Sequence, residues 1–234
     1  MSYYTPNPPS AYTSNPPNNY TSNPPGAYGS NPPNAYASNL GRYPSSQPRQ
    51  YIQQQGLPAG ADPQLWQWFC AVDTDRSGAL SVTELQDALV NGKWTKFDLD
   101  TVKMLMNIFD TDRSGTIGFN EFAGLWKYIA EWQRVFKHFD RDHSGSIDGR
   151  ELAEALRNFG YNLSPPLLRA LEIRYASGAP SAYGPPPGIT FDRFVRACVT
   201  VKTLSETFQR EDRDNDGWIQ LNYEDFLKIS LSAP

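Results

Sequence analysis

Histidine and cysteine are nearly absent from this chain: His138, His143, Cys70 and Cys198 are all it has in 234 residues. That scarcity excludes a zinc site or a disulfide framework built on those side chains, and leaves any Cys-His nucleophile pair without a third, orienting group. Both cysteines stand in apolar contexts, "WFCAV" and "RACVT", which reads as reduced core thiols of an intracellular protein. No run approaches the roughly 18 apolar residues that cross a bilayer, and the opening "MSYYTPNPP" has neither the basic nor the apolar region of a secretory leader. The expectation is a soluble, cytoplasmic protein that is not an enzyme.

A second absence divides the chain. Residues 1–61 contain no Asp, Glu or Phe, carry only Arg42 and Arg49 as charges, and hold 12 of the 20 prolines. Tyr4, Tyr12, Tyr20, Tyr28 and Tyr36 recur every eight residues, with Pro-Pro pairs between them as in "SNPPNAY". So little aliphatic surface cannot offset the entropy of ordering the chain, so a disordered, polyproline-rich tail is expected. The remaining 173 residues have 25 acidic and 19 basic side chains, all six Trp and all twelve Phe. That is enough for a packed core, and its net negative charge argues against nucleic-acid binding.

Within this block an acidic phrase occurs four times: "DTDRSG" at Asp73 and Asp110, "DRDHSG" at Asp140 and "DRDNDG" at Asp212. The first copy, extended to twelve residues, places Asp73, Asp75, Ser77, the Ala79 carbonyl and Glu84 at positions 1, 3, 5, 7 and 12, with Gly78 at the sharp turn. A hard cation needs six to eight oxygens, with the last Glu supplying two, and this spacing is that of an EF-hand Ca2+ loop. The second copy offers Asp110, Asp112, Ser114, the Thr116 carbonyl and Glu121; the third offers Asp140, Asp142, Ser144, the Ser146 carbonyl, Asp148 and Glu151. With four carboxylates against three, the third loop is expected to bind at least as tightly.

The spacing of the starts implies a fifth unit near Ala176, because "PLLRALEIRYA" precedes and "ITFDRF" follows that point. Its loop is too long, carries "GPPPG", and has Arg193 where the bidentate Glu belongs, so it should not bind calcium. The last loop has Asp212, Asp214, Asp216 and the Trp218 carbonyl, but Tyr223 occupies position 12 with Glu224 one residue late, which leaves a weak site. Helical patterns flank every loop. "TELQDALVNG" should stop at Asn91-Gly92, while "LWKYIAEWQRVFKHF" and "FDRFVRACVTVKTLSETFQRE" should each serve two neighbouring hands. The fold class is all-α: five EF-hands near residues 63–92, 99–130, 129–160, 165–200 and 201–231, after the 1–61 tail. Loops should pair through position 8, joining Leu80 to Ile117 and Ile147 to Ile189. Ile219 is left over, and with Tyr223 it marks a surface for a second fifth hand.

Five hands, shared helices, "LWKYIAEWQRVFKHFD", "DNDGWIQLNYEDFL" and a Pro/Tyr/Gly-rich tail together resemble the penta-EF-hand family. The resemblance implies a calcium-dependent adaptor whose apolar cleft, lined by Trp126, Tyr128, Trp132 and Tyr161, receives Pro-rich segments of trafficking proteins. It also implies a homodimer, or a heterodimer with another five-hand protein, and calcium-dependent recruitment to endosomal or secretory membranes. The basic residue that follows the Tyr of "FGYN" in some relatives is Asn162 here. Two alternatives stay open: a regulatory subunit of an enzyme, since the family includes the calpain small subunit, and a passive calcium buffer.

Overall fold

The computed structural model describes residues 56–92, 94–178 and 187–232. The tyrosine repeat, most of the expected 1–61 tail and most of "GPPPG" lie outside the described residues. Among the described residues eight helices follow in order: α1 (Pro63–Val72), α2 (Val82–Ala88), α3 (Leu99–Phe109), α4 (Phe119–Phe139), α5 (Gly149–Asn158), α6 (Pro165–Tyr175), α7 (Phe191–Glu211) and α8 (Tyr223–Ser232).

Local chemistry sets their ends. Asp62 accepts from the Gln64 and Leu65 amides ahead of a proline at the first helical position, which starts α1. Reciprocal capping boxes, Ser81 with Glu84 and Asp148 with Glu151, start α2 and α5. The first Asp of each acidic phrase ends a helix: the backbone N–H groups of Asp73, Asp110, Asp140 and Asp212 donate four residues back, to Phe69, Met106, Phe136 and Phe208. Helix and loop therefore share a residue, and the loop cannot change shape without moving the helix end.

α4 and α7 are both 21 residues and each spans two hands, as the sequence predicts. The expected end of α2 is wrong. The helix stops at Ala88, and the chain turns extended so that Val90 bridges Lys96 while the Phe97 amide donates to the Leu89 carbonyl at 3.1 Å. Extension buries Leu89 and Phe97 almost completely. The burial of two large side chains, each about 1.5–3 kcal/mol, outweighs one more helical turn.

Both loop pairings occur as expected. Leu80 and Ile117 exchange backbone bonds of 2.8 and 2.9 Å, and Ile147 and Ile189 exchange two of 2.8 Å. All four side chains are fully buried, so the seams between hands lie in the core. Ile219 makes no such bridge among the described residues. The first and fourth hands are also tied together. The Asn91 side chain accepts from the Asp192 amide at 3.1 Å, and the buried Asp192 carboxylate accepts from the Asp98 amide at 2.6 Å.

Candidate calcium sites and the odd hand

Four loops share one backbone. Position 4 is left-handed in each, at Arg76, Arg113, His143 and Asn215 with φ of 55–62°, and position 6 is a glycine at φ 75–84°. Only glycine adopts the second conformation without strain, which is why it recurs there. The turn brings the acidic oxygens together: Asp73, Asp75 and Glu84; Asp110, Asp112 and Glu121; Asp140, Asp142 and Glu151; Asp212, Asp214 and Asp216 each gather ligand oxygens within 4.8 Å.

In the first loop, Asp73 accepts from the Ser77 and Gly78 amides at 2.9 and 3.0 Å, and the Ser77 hydroxyl donates to the Ala79 carbonyl at 2.8 Å. The expected position 5 and position 7 oxygens are thus adjacent. Ser114 with Thr116 and Ser144 with Ser146 repeat the contact at 3.2 and 2.8 Å. At position 12 each carboxylate spans the loop. Glu84 accepts from Thr74 on one oxygen and Ser81 on the other; Glu121 does so from Thr111 and Gly118, and Glu151 from Arg141 and Asp148. Asp148 accepts from the Arg150 and Glu151 amides as the cap of α5 and stays outside the carboxylate group.

These loops carry negative charge held ready. Burial raises the Glu84 pKa, but the amide and hydroxyl of Ser81 and those of Thr74 outweigh it and bring the value to about 2. Glu121 is lowered in the same way, burial being overcome by donors from Gly118 and Thr111, and Ser144 lowers Asp142. Asp73 is raised, chiefly by burial. In the third loop the buried Asp140 Oδ1 has no hydrogen-bond partner. An all-oxygen, strongly anionic set with an unanswered buried oxygen fits Ca2+.

The fifth loop keeps the turn but not the far side. Asp212 accepts from Asp216 and Gly217 amides at 3.2 and 3.1 Å, as Asp73 and Asp110 do from the matching amides in the first and second copies. Helix α8 starts at position 12, whereas α2, α4 and α5 start at position 10, because Asn222 caps it: the Asp225 amide donates to Asn222 at 2.9 Å and Asn222 donates to Asp225 at 2.6 Å. The Asn-x-x-Asp spacing was a legible capping signal. Glu224 pairs with Lys228 at 3.1 Å instead of turning to the loop. Leu204 and Phe208 on α7, Trp218, and Tyr223 and Phe226 on α8 are exposed, Trp218 and Tyr223 by 80% and 77%.

The aromatic residues assigned to a cleft are packed. Trp126 is buried against Trp68 and Phe122, with ring centroids 5.0 and 5.7 Å away. Tyr128 meets Phe109 and Trp132, and Trp132 meets Phe159 and Phe194 at 6.0 Å. Tyr161 lies half-buried against the same core. Trp126 and Trp132 therefore face different neighbours. Cys70 and Cys198 are buried, which pushes their thiols up, Cys70 to about 11. His138 and His143 are exposed. Among the described residues no helix is long and apolar enough to cross a membrane.

The chain matches the EF-hand domain pair over residues 64–127 and 129–231. It is 40% identical to peflin from Xenopus laevis over 176 residues, covering 75% of this chain and 60% of that protein. To human sorcin it is 33% identical over 181 residues, covering 76% of this chain and 87% of sorcin. A solved homolog of programmed cell death 6 protein from Leishmania major superposes with a TM-score of 0.59 at 30% identity, covering 76% and 93% of the two chains. The chain spans about 60% of the length of the peflins it matches.

Proposed function

This chain belongs to the penta-EF-hand family of calcium-binding proteins, and we propose that it works as a dimeric, calcium-switched adaptor. The observation that carries the reading is the sharing of residues between loop and helix. Position 1 ends the entering helix, and position 12 lies in the first turn of the exiting helix. Calcium, when bound, supplies the positive charge that these carboxylates lack. Asp73, Asp110 and Asp140 then anchor one helix end, and Glu84, Glu121 and Glu151 the other, so neutralising their repulsion resets the angle between helices.

Reset helices would open the packing around Trp126, Tyr128, Trp132 and Tyr161 and offer an aromatic-lined cleft to Pro-rich segments, which bind aromatic grooves at low entropic cost. The fifth hand is the second half of the proposal. Burying its exposed apolar side chains stabilises by about 1.5–3 kcal/mol each, counted twice across a two-fold axis. The partner is a second copy or a related five-hand chain. We place the dimer in the cytoplasm, recruited to endosomal or secretory membranes when calcium rises.

An apolar reporter dye titrated with calcium tests the switch. Fluorescence that rises with calcium and reverses with chelator supports the adaptor, and a flat response in a protein that binds calcium points to a passive buffer. Co-purification of a stoichiometric large enzyme subunit would instead favour the regulatory-subunit reading.

A further inference from the structure

The fourth hand inverts the chemistry of its neighbours. In a complete loop, oxygens at positions 1 and 12 converge from two helices and need a cation between them. Here position 1 is Ala176, which offers its backbone carbonyl, and position 12 is Arg193, whose guanidinium donates to that carbonyl. Ser177 adds a second closure: its amide donates to the Gly188 carbonyl at 3.1 Å and its hydroxyl donates to the same oxygen. The two ends of the loop are thus joined by protein groups, with a positive charge supplied by the chain itself.

These joined ends lie against the third calcium site. Gly188 precedes Ile189, which exchanges two 2.8 Å backbone bonds with Ile147. A Cβ at Gly188 would sit 2.5 Å from Ser146 Oγ, the residue expected to give a carbonyl ligand, and one at Gly149 would sit 2.9 Å from Glu172 Oε1 of α6. The fourth hand therefore touches the third loop on both sides of its pairing residue. Asp98 Oδ2, 3.8 Å from Arg193 Nε, holds the same guanidinium from the N-cap of α3.

We infer that Arg193 is a positioning residue for the third calcium site, a built-in cation that keeps the partner of that loop closed whether or not calcium is present. The first and second loops have no such partner, since each relies on a carboxylate at position 12. The third loop should accordingly bind calcium against an already ordered neighbour, and forgo the ordering cost its counterparts meet.

The test uses the full chain as wild type, Arg193→Gln and Arg193→Lys, with amide hydrogen exchange read across a calcium titration. In chelator, Ile147 and Ile189 should be better protected than Leu80 and Ile117 in the wild type. Arg193→Gln should speed exchange at Ile147 and Ile189 about tenfold and raise the half-saturating calcium of the third loop by about the same factor, the range expected for one hydrogen bond to a charged group. Leu80 and Ile117 should not move, and Arg193→Lys should recover most of the loss. Wild-type behaviour of Arg193→Gln, equal effects of Gln and Lys, or acceleration at both loop pairs alike would overturn the assignment.

Discussion

Replacing Glu84 with Gln changes one atom and tests two roles together. In the structure Oε1 accepts from the Thr74 amide and hydroxyl, both at 2.8 Å, and Oε2 accepts from the Ser81 amide and hydroxyl at 3.0 and 2.8 Å. Whichever way the new amide turns, its NH2 faces a backbone N–H that can only donate and a hydroxyl that can turn to accept, so at least one hydrogen bond to a buried carboxylate is lost. At about 1.5–3 kcal/mol for a hydrogen bond to a charged group, the calcium-free protein should lose roughly 2 kcal/mol. For a folded unit of this size that lowers the melting temperature by about 4–8 °C. Calcium at a hundredfold over its dissociation constant stabilises by about 2.7 kcal/mol per site, and the variant should forfeit that increment for one site. Scanning calorimetry in chelator and in calcium separates the two losses. A calcium-free shift below about 1 °C, or an undiminished calcium increment, would show that Glu84 neither fastens the loop nor completes the site.

Acid should erase the first of these differences: the Glu84 contribution is complete above its ordinary pKa of 4.5 and disappears as pH falls through about 2. Wild type and Glu84→Gln, compared in chelator, should therefore converge in stability over that window, and a constant gap would refute the pKa argument. Tyr223→Asp with Phe226→Asp in the full chain should give monomer in analytical ultracentrifugation at micromolar concentration without disturbing the first three calcium sites; a persisting dimer would remove the fifth hand from the interface. Membrane sedimentation in calcium should survive high salt, because the folded block repels anionic lipid and apolar contact must do the binding. Sedimentation abolished by salt would mean that charge carries it.

How far the sequence spoke depended on how local each feature is. Calcium loops were legible because ligand spacing, the position 6 glycine and the position 8 aliphatic are set within twelve residues. The long helices α4 and α7 were legible because no proline interrupts their pattern. The end of α2 was not, since Leu89 and Val90 leave the helix to meet Lys96 and Phe97 beyond the turn at Trp94. Asn91 and Asp192 meet across 101 positions, and nothing in either neighbourhood announces it. Arg193 was readable as the loss of a ligand, but its bond to Ala176 required the folded loop. The four cleft aromatics show the same limit. Family resemblance assigned them to one cleft, and only packing sent Trp126 toward Trp68 and Trp132 toward Phe159.

Native mass spectrometry of the full chain across a calcium titration reads assembly and ion count in one spectrum, and so addresses the claim that the repeated acidic phrase does two jobs. The expected spectra show a dimer already in chelator, which takes up calcium at the first three loops of each chain before the Asp212 loop fills, with the fourth hand staying empty throughout. A monomer in chelator, or a fifth loop that fills before the third, would contradict it.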